Sequence, residues 1–186
     1  SGEMKDGGFL RQERCGGMSE RDGRGIRIAV TTASFSADET LRRETRALFP
    51  RVRLNEAGSR LWGKALADFI GDAEGVIVGL ERVDEALLGT CPNLKVVAKY
   101  GVGTDNIDFE ACRRRSVEVR WTPGINRGSV AELTVAFMIM LSRNIYSTSL
   151  RMRQGVWHKD GGRDISERTV GIIGVGNIGK EGVRLL

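Results

Sequence analysis

The sequence has few of the residues and patterns on which several protein classes depend. Its three cysteines, Cys15, Cys91 and Cys112, are widely spaced with no CxxC pair, which argues against a disulfide framework and a metal centre. The longest apolar run, Val135–Leu141, has seven residues, whereas a transmembrane helix needs ~20. We therefore expect a protein of a reducing, cytoplasmic compartment that neither spans a membrane nor binds a metal.

The charge balance gives little indication of a polyanionic partner. The chain has 29 basic and 24 acidic residues, a net charge of +5, and its arginines are scattered apart from one short run at Arg113–Arg115. We expect no nucleic-acid partner from this distribution. Hydrophobic residues make up 40% and charged residues 28% of the chain, a composition typical of globular proteins and not of disordered ones.

The first 25 residues differ from the remainder of the chain. They contain 7 of the 25 glycines, and their basic and acidic residues cancel. This composition predicts a disordered leader over residues 1–25.

Strand and helix patterns alternate from Ile26 onward. Ser36 and Glu39 have the spacing of a capping box, which predicts a helix start between the first two strands. This alternation predicts an α/β domain with a parallel sheet over residues 26–122. The predicted strands are Ile26–Thr31, Val52–Leu54, Gly75–Val78, Lys95–Ala98 and Val117–Trp121, and helices are predicted between them over Leu61–Ile70, Val83–Leu88 and Asp108–Arg114.

Residues 123–186 have a different pattern, which predicts a domain boundary near their start. Ser129 and Glu132 form a second capping-box pattern, and helical residues continue to about Arg153. The section Leu133–Leu141 is apolar nearly all round, which predicts a helix buried on every side between two domains. A further strand is predicted over Thr169–Ile173.

A GxGxxG motif directly follows this last predicted strand. Gly174 permits a tight turn, Gly176 leaves room for a pyrophosphate, and Gly179 allows close packing of the helix that begins at Asn177. Such a helix start offers unpaired N–H groups to an anion. With a strand before it and a helix after it, the motif favours dinucleotide binding over an ordinary glycine-rich turn.

A second glycine-rich motif, KYGVGTDNID, lies just past the predicted strand that ends at Ala98. Gly101 and Gly103 permit successive backbone N–H groups to form a nest for a carboxylate or phosphate. The residues alone equally allow an ordinary strand-to-helix turn in which Asp105 or Asn106 caps the next helix.

Five motifs in one order carry a family resemblance: KYGVGTDNID, WTPGIN, SVAELT, QGVW and TVGIIGVGNIG. This succession resembles the D-isomer-specific 2-hydroxyacid dehydrogenases, a family that includes phosphoglycerate dehydrogenase and glyoxylate/hydroxypyruvate reductase. The resemblance covers Ile26 to Leu186. It implies a flavodoxin-like substrate lobe over residues 26–122, followed by the start of a Rossmann NAD-binding domain, and it implies a cytoplasmic homodimer.

The resemblance also implies roles for individual residues. A small 2-hydroxy or 2-oxo acid is the expected substrate and NAD the expected cofactor, with NADP left open. Lys99 takes a position where phosphoglycerate-type members carry arginine, so it is a candidate partner for a substrate phosphate or second carboxylate. The implied substrate-binding residues are Lys99, Tyr100, Gly101, Val102 and Gly103, and the implied cofactor-binding residues are Val130, Gly174, Gly176, Asn177, Ile178 and Gly179.

Two other functional classes compete with an NAD-dependent dehydrogenase. One is a non-catalytic scaffold on the same fold, as in the corepressor members of the family. The other is a flavodoxin-like receiver or flavoprotein, which leaves the strand–GxGxxG unit unexplained. The loop over residues 100–103 favours the enzyme, because a scaffold has no need of a carboxylate nest.

We expect the 186-residue chain to have no dehydrogenase activity and weak or absent dinucleotide affinity by itself. In the family, the catalytic arginine, glutamate and histidine follow the GxGxxG motif and have no counterpart among the residues up to Leu186. The acidic residue that binds the ribose, ~20 positions after the motif, also has no counterpart here. The only histidine, His158, precedes the motif and is interpreted as a surface or hinge residue. NADH oxidation with glyoxylate or hydroxypyruvate should stay at background, and a rate above background would contradict this expectation.

Overall fold

A computed structural model describes residues 25–159, 161–166 and 168–186. The predicted leader lies outside the described residues except for Gly25. The elements, in chain order, are β1 (Arg27–Val30), α1 (Ala33–Ala37), α2 (Glu39–Leu48), β2 (Arg51–Leu54), α3 (Gly63–Ile70), β3 (Gly75–Val78), α4 (Glu85–Thr90), β4 (Val96–Lys99), α5 (Phe109–Arg114), β5 (Glu118–Arg120), α6 (Arg127–Ser142), α7 (Ile145–Arg153) and α8 (Asn177–Leu185).

The five strands form one parallel sheet in the order β2-β1-β3-β4-β5. This is the flavodoxin-like order of a doubly wound α/β domain, so the predicted parallel sheet is confirmed. The central strands are short apolar runs because helices cover the sheet. At the edge strand β2, Arg51 and Arg53 are exposed, and their charge discourages pairing with a further strand.

The hydrophobic core lies between the sheet and helices α3, α4 and α5. Val78 and Val97 on neighbouring strands are fully buried, and Leu88 of α4 is 2% exposed. This burial fixes the central strands, so the loops that leave their carboxyl ends start from rigid positions. No helix in the described ranges is both long enough and apolar enough to cross a membrane.

The predicted capping box at Ser36 and Glu39 is wrong. Ser36 lies inside α1, where its buried hydroxyl accepts a hydrogen bond from the backbone N–H of Asn55 at 3.1 Å. Asp38 caps α2 instead, because its carboxylate accepts the N–H of Leu41 at 2.9 Å.

The predicted single helix from Ser129 to about Arg153 is two helices, α6 and α7. Asn144 separates them in the left-handed conformation, with φ 53°, which asparagine tolerates better than most residues. The second predicted capping box is also wrong. Helix α6 begins two residues before Ser129, and the side chain of its N-cap residue Asn126 makes no capping hydrogen bond.

The apolar section of α6 is not buried on every side as predicted. Leu133 is 53% exposed, Phe137 51% and Leu141 78%, while Ala131 is fully buried. Helix α8 packs along one side of α6, and no described element covers the opposite side.

Residues 169–173 do not form the predicted strand, and the side chain of Ile173 is fully exposed. A β-strand needs a partner for its backbone N–H and C=O groups. The described residues place no strand beside this segment. The helix predicted after it is confirmed as α8.

Candidate functional site

The carboxyl ends of β3 and β4 lie side by side at one edge of the sheet. Val78, the last residue of β3, pairs in register with Lys99, the last residue of β4. The N–H of Tyr100 then donates to the carbonyl of Val78 at 2.8 Å. Two loops therefore begin together here, at the edge where open parallel sheets bind ligands.

The loop after β4 presents three consecutive unpaired donors. The backbone N–H groups of Gly101, Val102 and Gly103 have no acceptor among the described residues. Gly101 has φ +130°, a conformation that side chains of L-residues rarely adopt. The Tyr100 ring is held edge-on against Phe35, with centroids 5.2 Å apart. Such an array of donors suits a carboxylate or phosphate.

Neither Asp105 nor Asn106 caps the next helix, so the capping residues predicted for the KYGVGTDNID motif are wrong. Asp108 caps α5 by accepting the N–H of Ala111 at 2.9 Å. The Asn106 side chain instead bonds to the loop after β3, where its Nδ2 donates to the carbonyl of Glu81 at 2.6 Å.

Lys99 is half-buried, and neutral oxygen atoms hold its ammonium group. Nζ donates to the carbonyl of Gly79 and to Oδ1 of Asn106, the latter at 2.7 Å. Glu81, which is 9% exposed, accepts the N–H of Gly79 at 2.6 Å. Sequence reasoning missed Gly79, Glu81 and the role of Asn106. The position of Gly79 directly after the GVIV strand was the available signal.

Two glycines of the GxGxxG turn occupy positions that a residue with a side chain does not fit, and the glycine between them leaves open space for a ligand. Gly174 has φ +91°, and a Cβ on Gly179 would lie 2.2 Å from the Gly174 carbonyl oxygen. No atom lies within 4 Å of the Cβ position of Gly176, the N-cap of α8. Helix α8 begins at Asn177, so the N–H groups of Asn177, Ile178 and Gly179 lack intrahelical acceptors. This turn fits the pyrophosphate of a dinucleotide.

The GxGxxG turn over Gly174–Gly179, called the phosphate turn below, lies beside the segment that leads into α6, whose first turn contains Val130. The Cβ position of Gly124, which has φ +71°, lies 2.8 Å from Nδ2 of Asn177. A cavity of about 370 Å³ separates α6 from the turn and is lined by residues that include Thr134, Met138 and Ile178. The cavity places the side of α6 that follows Val130 beside Gly174, Ile178 and Gly179. Within the described residues, no hydrogen bond, ion pair or ring contact joins them to the loop after β4.

The remaining reactive side chains lie away from both loops. Burial raises the pKa of the Cys91 and Cys112 thiols, which keeps them protonated and poorly nucleophilic at neutral pH. His158 is exposed and lines a separate cavity beside α7. Where the structure describes the chain, no group of three or more His, Cys, Asp or Glu residues is placed to hold a metal. The two loops can bind anions, but they contain no histidine for proton transfer.

Comparison with known proteins identifies similar chains. The family model for the D-isomer specific 2-hydroxyacid dehydrogenase catalytic domain matches residues 30–176. A hydroxypyruvate reductase of Thermotoga maritima is 31% identical over 140 residues, which cover 74% of this chain and 46% of that protein. A D-3-phosphoglycerate dehydrogenase of Rattus norvegicus is 37% identical over 113 residues, covering 59% of this chain and 21% of that protein.

A solved structure of NAD+-bound 3-phosphoglycerate dehydrogenase from Entamoeba histolytica is also similar. It superposes with a TM-score of 0.67 at 29% identity, covering 86% of this chain and 50% of that one. The chain thus spans half or less of the length of these relatives.

Gly179→Ala should destabilise α8, because the new Cβ would collide with the Gly174 carbonyl. We expect a loss of about 1–3 kcal/mol in the opening free energy of α8, measured by amide hydrogen exchange. The matched control is Gly182→Ala in the same helix, where the Cβ meets no atom within 4 Å. That change should stabilise α8 by about 0.5–1 kcal/mol. Equal effects of the two substitutions would contradict the close contact.

Proposed function

Because the chain belongs to the D-isomer specific 2-hydroxyacid dehydrogenase family, we propose that it takes part in NAD-dependent hydride transfer between a 2-hydroxy acid and the matching 2-oxo acid. The observation that carries this proposal is the row of unpaired N–H groups after β4. The relatives are consistent with it, since one is a hydroxypyruvate reductase and another is an NAD+-bound 3-phosphoglycerate dehydrogenase.

In this proposal the loop after β4 binds the substrate carboxylate. The N–H groups of Gly101, Val102 and Gly103 are all donors, and hydrogen bonds from backbone N–H groups to an ionised carboxylate are stronger than those between neutral groups. Lys99 and Tyr100 precede these donors and connect them to the end of β4. The loop therefore fixes one end of the substrate and orients its C2 atom.

The phosphate turn is the proposed site of the dinucleotide. Gly174, Gly176, Asn177, Ile178 and Gly179 would hold the pyrophosphate at the start of α8, while Val130 on the neighbouring helix would lie near the nicotinamide. When bound, NAD supplies the hydride acceptor for the reaction. This chain's own contribution is the open backbone at Gly176 and the unpaired N–H groups at the helix start.

Proton transfer needs a group that neither loop provides. His158 lies beside α7 and is separate from both loops, so we propose that the chain contributes the substrate loop and the phosphate turn, binds the dinucleotide at most weakly by itself, and does not transfer the hydroxyl proton. A non-catalytic scaffold on the same fold is less well supported, because three adjacent unpaired donors after β4 serve no packing purpose.

Removing one donor tests the carboxylate site. Val102→Pro deletes the central N–H, whereas Val102→Ala retains it and serves as the matched control. In a titration with glyoxylate followed by amide NMR shifts, Val102→Pro should bind at least about tenfold more weakly than the chain with Val102, because a hydrogen bond to a charged group is worth about 1.5–3 kcal/mol. Val102→Ala should bind like the unsubstituted chain. Glyoxylate that shifts no amide in this loop would refute the site.

We further propose that the chain forms a homodimer through the apolar face of α6 and α7. This α6–α7 apolar face consists of Leu133, Phe137, Leu141, Tyr146 and Leu150, which are between 42% and 78% exposed. Large apolar side chains that are exposed together on neighbouring helices are typical of a protein interface. A second copy of the chain offers the same apolar chemistry, and a two-fold contact would cover both faces at once.

Sedimentation across a range of protein concentrations tests the homodimer. The unsubstituted chain should associate, and Leu141→Glu should shift it to monomer by placing a charge in the interface. Leu48→Glu is the matched control, because Leu48 is 66% exposed on α2, outside the proposed interface. A monodisperse monomer of the unsubstituted chain would contradict the proposal.

A further inference from the structure

We propose that Lys99 and Asn106 form a clamp between the loops after β3 and β4, and that Lys99 positions the carboxylate-binding loop instead of pairing with an anionic group of the substrate. We call these two side chains and their contacts the Lys99–Asn106 clamp. The existence of the clamp is independent of the proposed function. Its consequence for the substrate rests on that function.

The clamp is a closed set of hydrogen bonds that uses both ends of the Asn106 amide. Its Oδ1 accepts from Nζ of Lys99 at 2.7 Å. Its Nδ2 donates to the carbonyl of Glu81 at 2.6 Å and, more weakly, to that of Gly79 at 3.3 Å. Lys99 also donates to the Gly79 carbonyl. Lys99 at the end of β4 and Asn106 in the following loop thus hold the carbonyls of Gly79 and Glu81 in the loop after β3.

Backbone bonds beyond the clamp join the same two loops. The N–H of Val83 donates to the carbonyl of Asn106 at 2.8 Å, and the N–H of Asp108 donates to the carbonyl of Val83 at 2.8 Å. At the sheet, the N–H of Tyr100 donates to Val78. The clamp lies between these two connections, so it fixes the part of the loops that backbone pairing leaves open.

The loop after β3 is held on its other side as well. Oε2 of Glu81 accepts the N–H of Gly79 at 2.6 Å. A Cβ on Gly79 would lie 2.8 Å from Oγ1 of Thr32, so this position has no room for a side chain. Both peptide groups of Gly79 are therefore fixed, the N–H by Glu81 and the carbonyl by the clamp.

The surroundings of the Lys99 ammonium group indicate a positioning role. No carboxylate lies within ion-pair distance of it among the described residues, and both acceptors are carbonyl oxygens. Two of the three N–H donors of the ammonium group are thus used to join the loops. The aliphatic part of the Lys99 side chain also lies beside the loop after β4, because Cε of Lys99 is 3.6 Å from the Cβ position of Gly101.

Hydrogen exchange tests the clamp without any ligand. Lys99→Met keeps the stem but removes the ammonium group, and it should accelerate exchange of the Gly79 and Val83 amides about tenfold. The matched control is Lys95→Met just before the same strand, where the lysine is 72% exposed and pairs with Glu74. That variant should leave both amides unchanged. Unchanged exchange in Lys99→Met would overturn the clamp.

The ammonium signal of the unsubstituted chain gives a second readout that needs no variant. An ammonium group held by two carbonyls should give a slowly exchanging ¹H–¹⁵N resonance, and inorganic phosphate should leave it in place. A Lys99 ammonium that exchanges as fast as that of Lys95, or whose resonance shifts on addition of phosphate, would overturn the proposal.

Asn106→Ala separates positioning from direct pairing when glyoxylate is titrated. If Lys99 positions the loop, Lys99→Met and Asn106→Ala should weaken glyoxylate binding to a similar extent, because each breaks the clamp. If Lys99 pairs with the ligand, Asn106→Ala should free the ammonium group and leave binding equal or tighter, which would overturn the proposal. If glyoxylate does not bind at all, the proposed function fails, while hydrogen exchange still decides the clamp.

Discussion

The parallel register of β3 against β4 is the constraint on which the candidate site depends. Pairing of Val78 with Lys99 places the ends of both strands at the same level, so Gly79 and Tyr100 begin their loops side by side. Burial of Val78 and Val97 in the core holds that register, because a shift by one residue would exchange the two faces of the strand. The apolar sequences GVIV and KVVA thus determine where the polar loop residues meet.

The sheet was predictable from sequence because its strands are short apolar runs between turn residues. Two of the predictions that failed concern segments whose conformation depends on a partner. Residues 169–173 have a strand-like composition, but no described strand pairs with them. Leu133–Leu141 has the composition of a buried helix, yet only one side of α6 is covered. The break at Asn144 was missed because the helical pattern continues on both sides of it, and only its backbone conformation separates the two helices.

The candidate site was partly predictable for the same physical reason. Glycines that need a positive φ or a close contact are visible as motifs, and the geometry of Gly101, Gly174 and Gly179 fits those expectations. The partners of Lys99 were not visible, since Gly79 lies 20 residues away and meets it only through the sheet register. A sequence reveals which lysine adjoins a motif, but not whether neighbouring carbonyls already hold its ammonium group.

A crystal structure of the chain with glyoxylate would test most directly whether the backbone of the β4 loop binds the substrate carboxylate. We predict carboxylate oxygens about 3 Å from at least two of the amide nitrogens of Gly101, Val102 and Gly103, with Lys99 still bonded to Gly79 and Asn106. A carboxylate bound to Nζ of Lys99, with those two bonds broken and the three amides unoccupied, would contradict it.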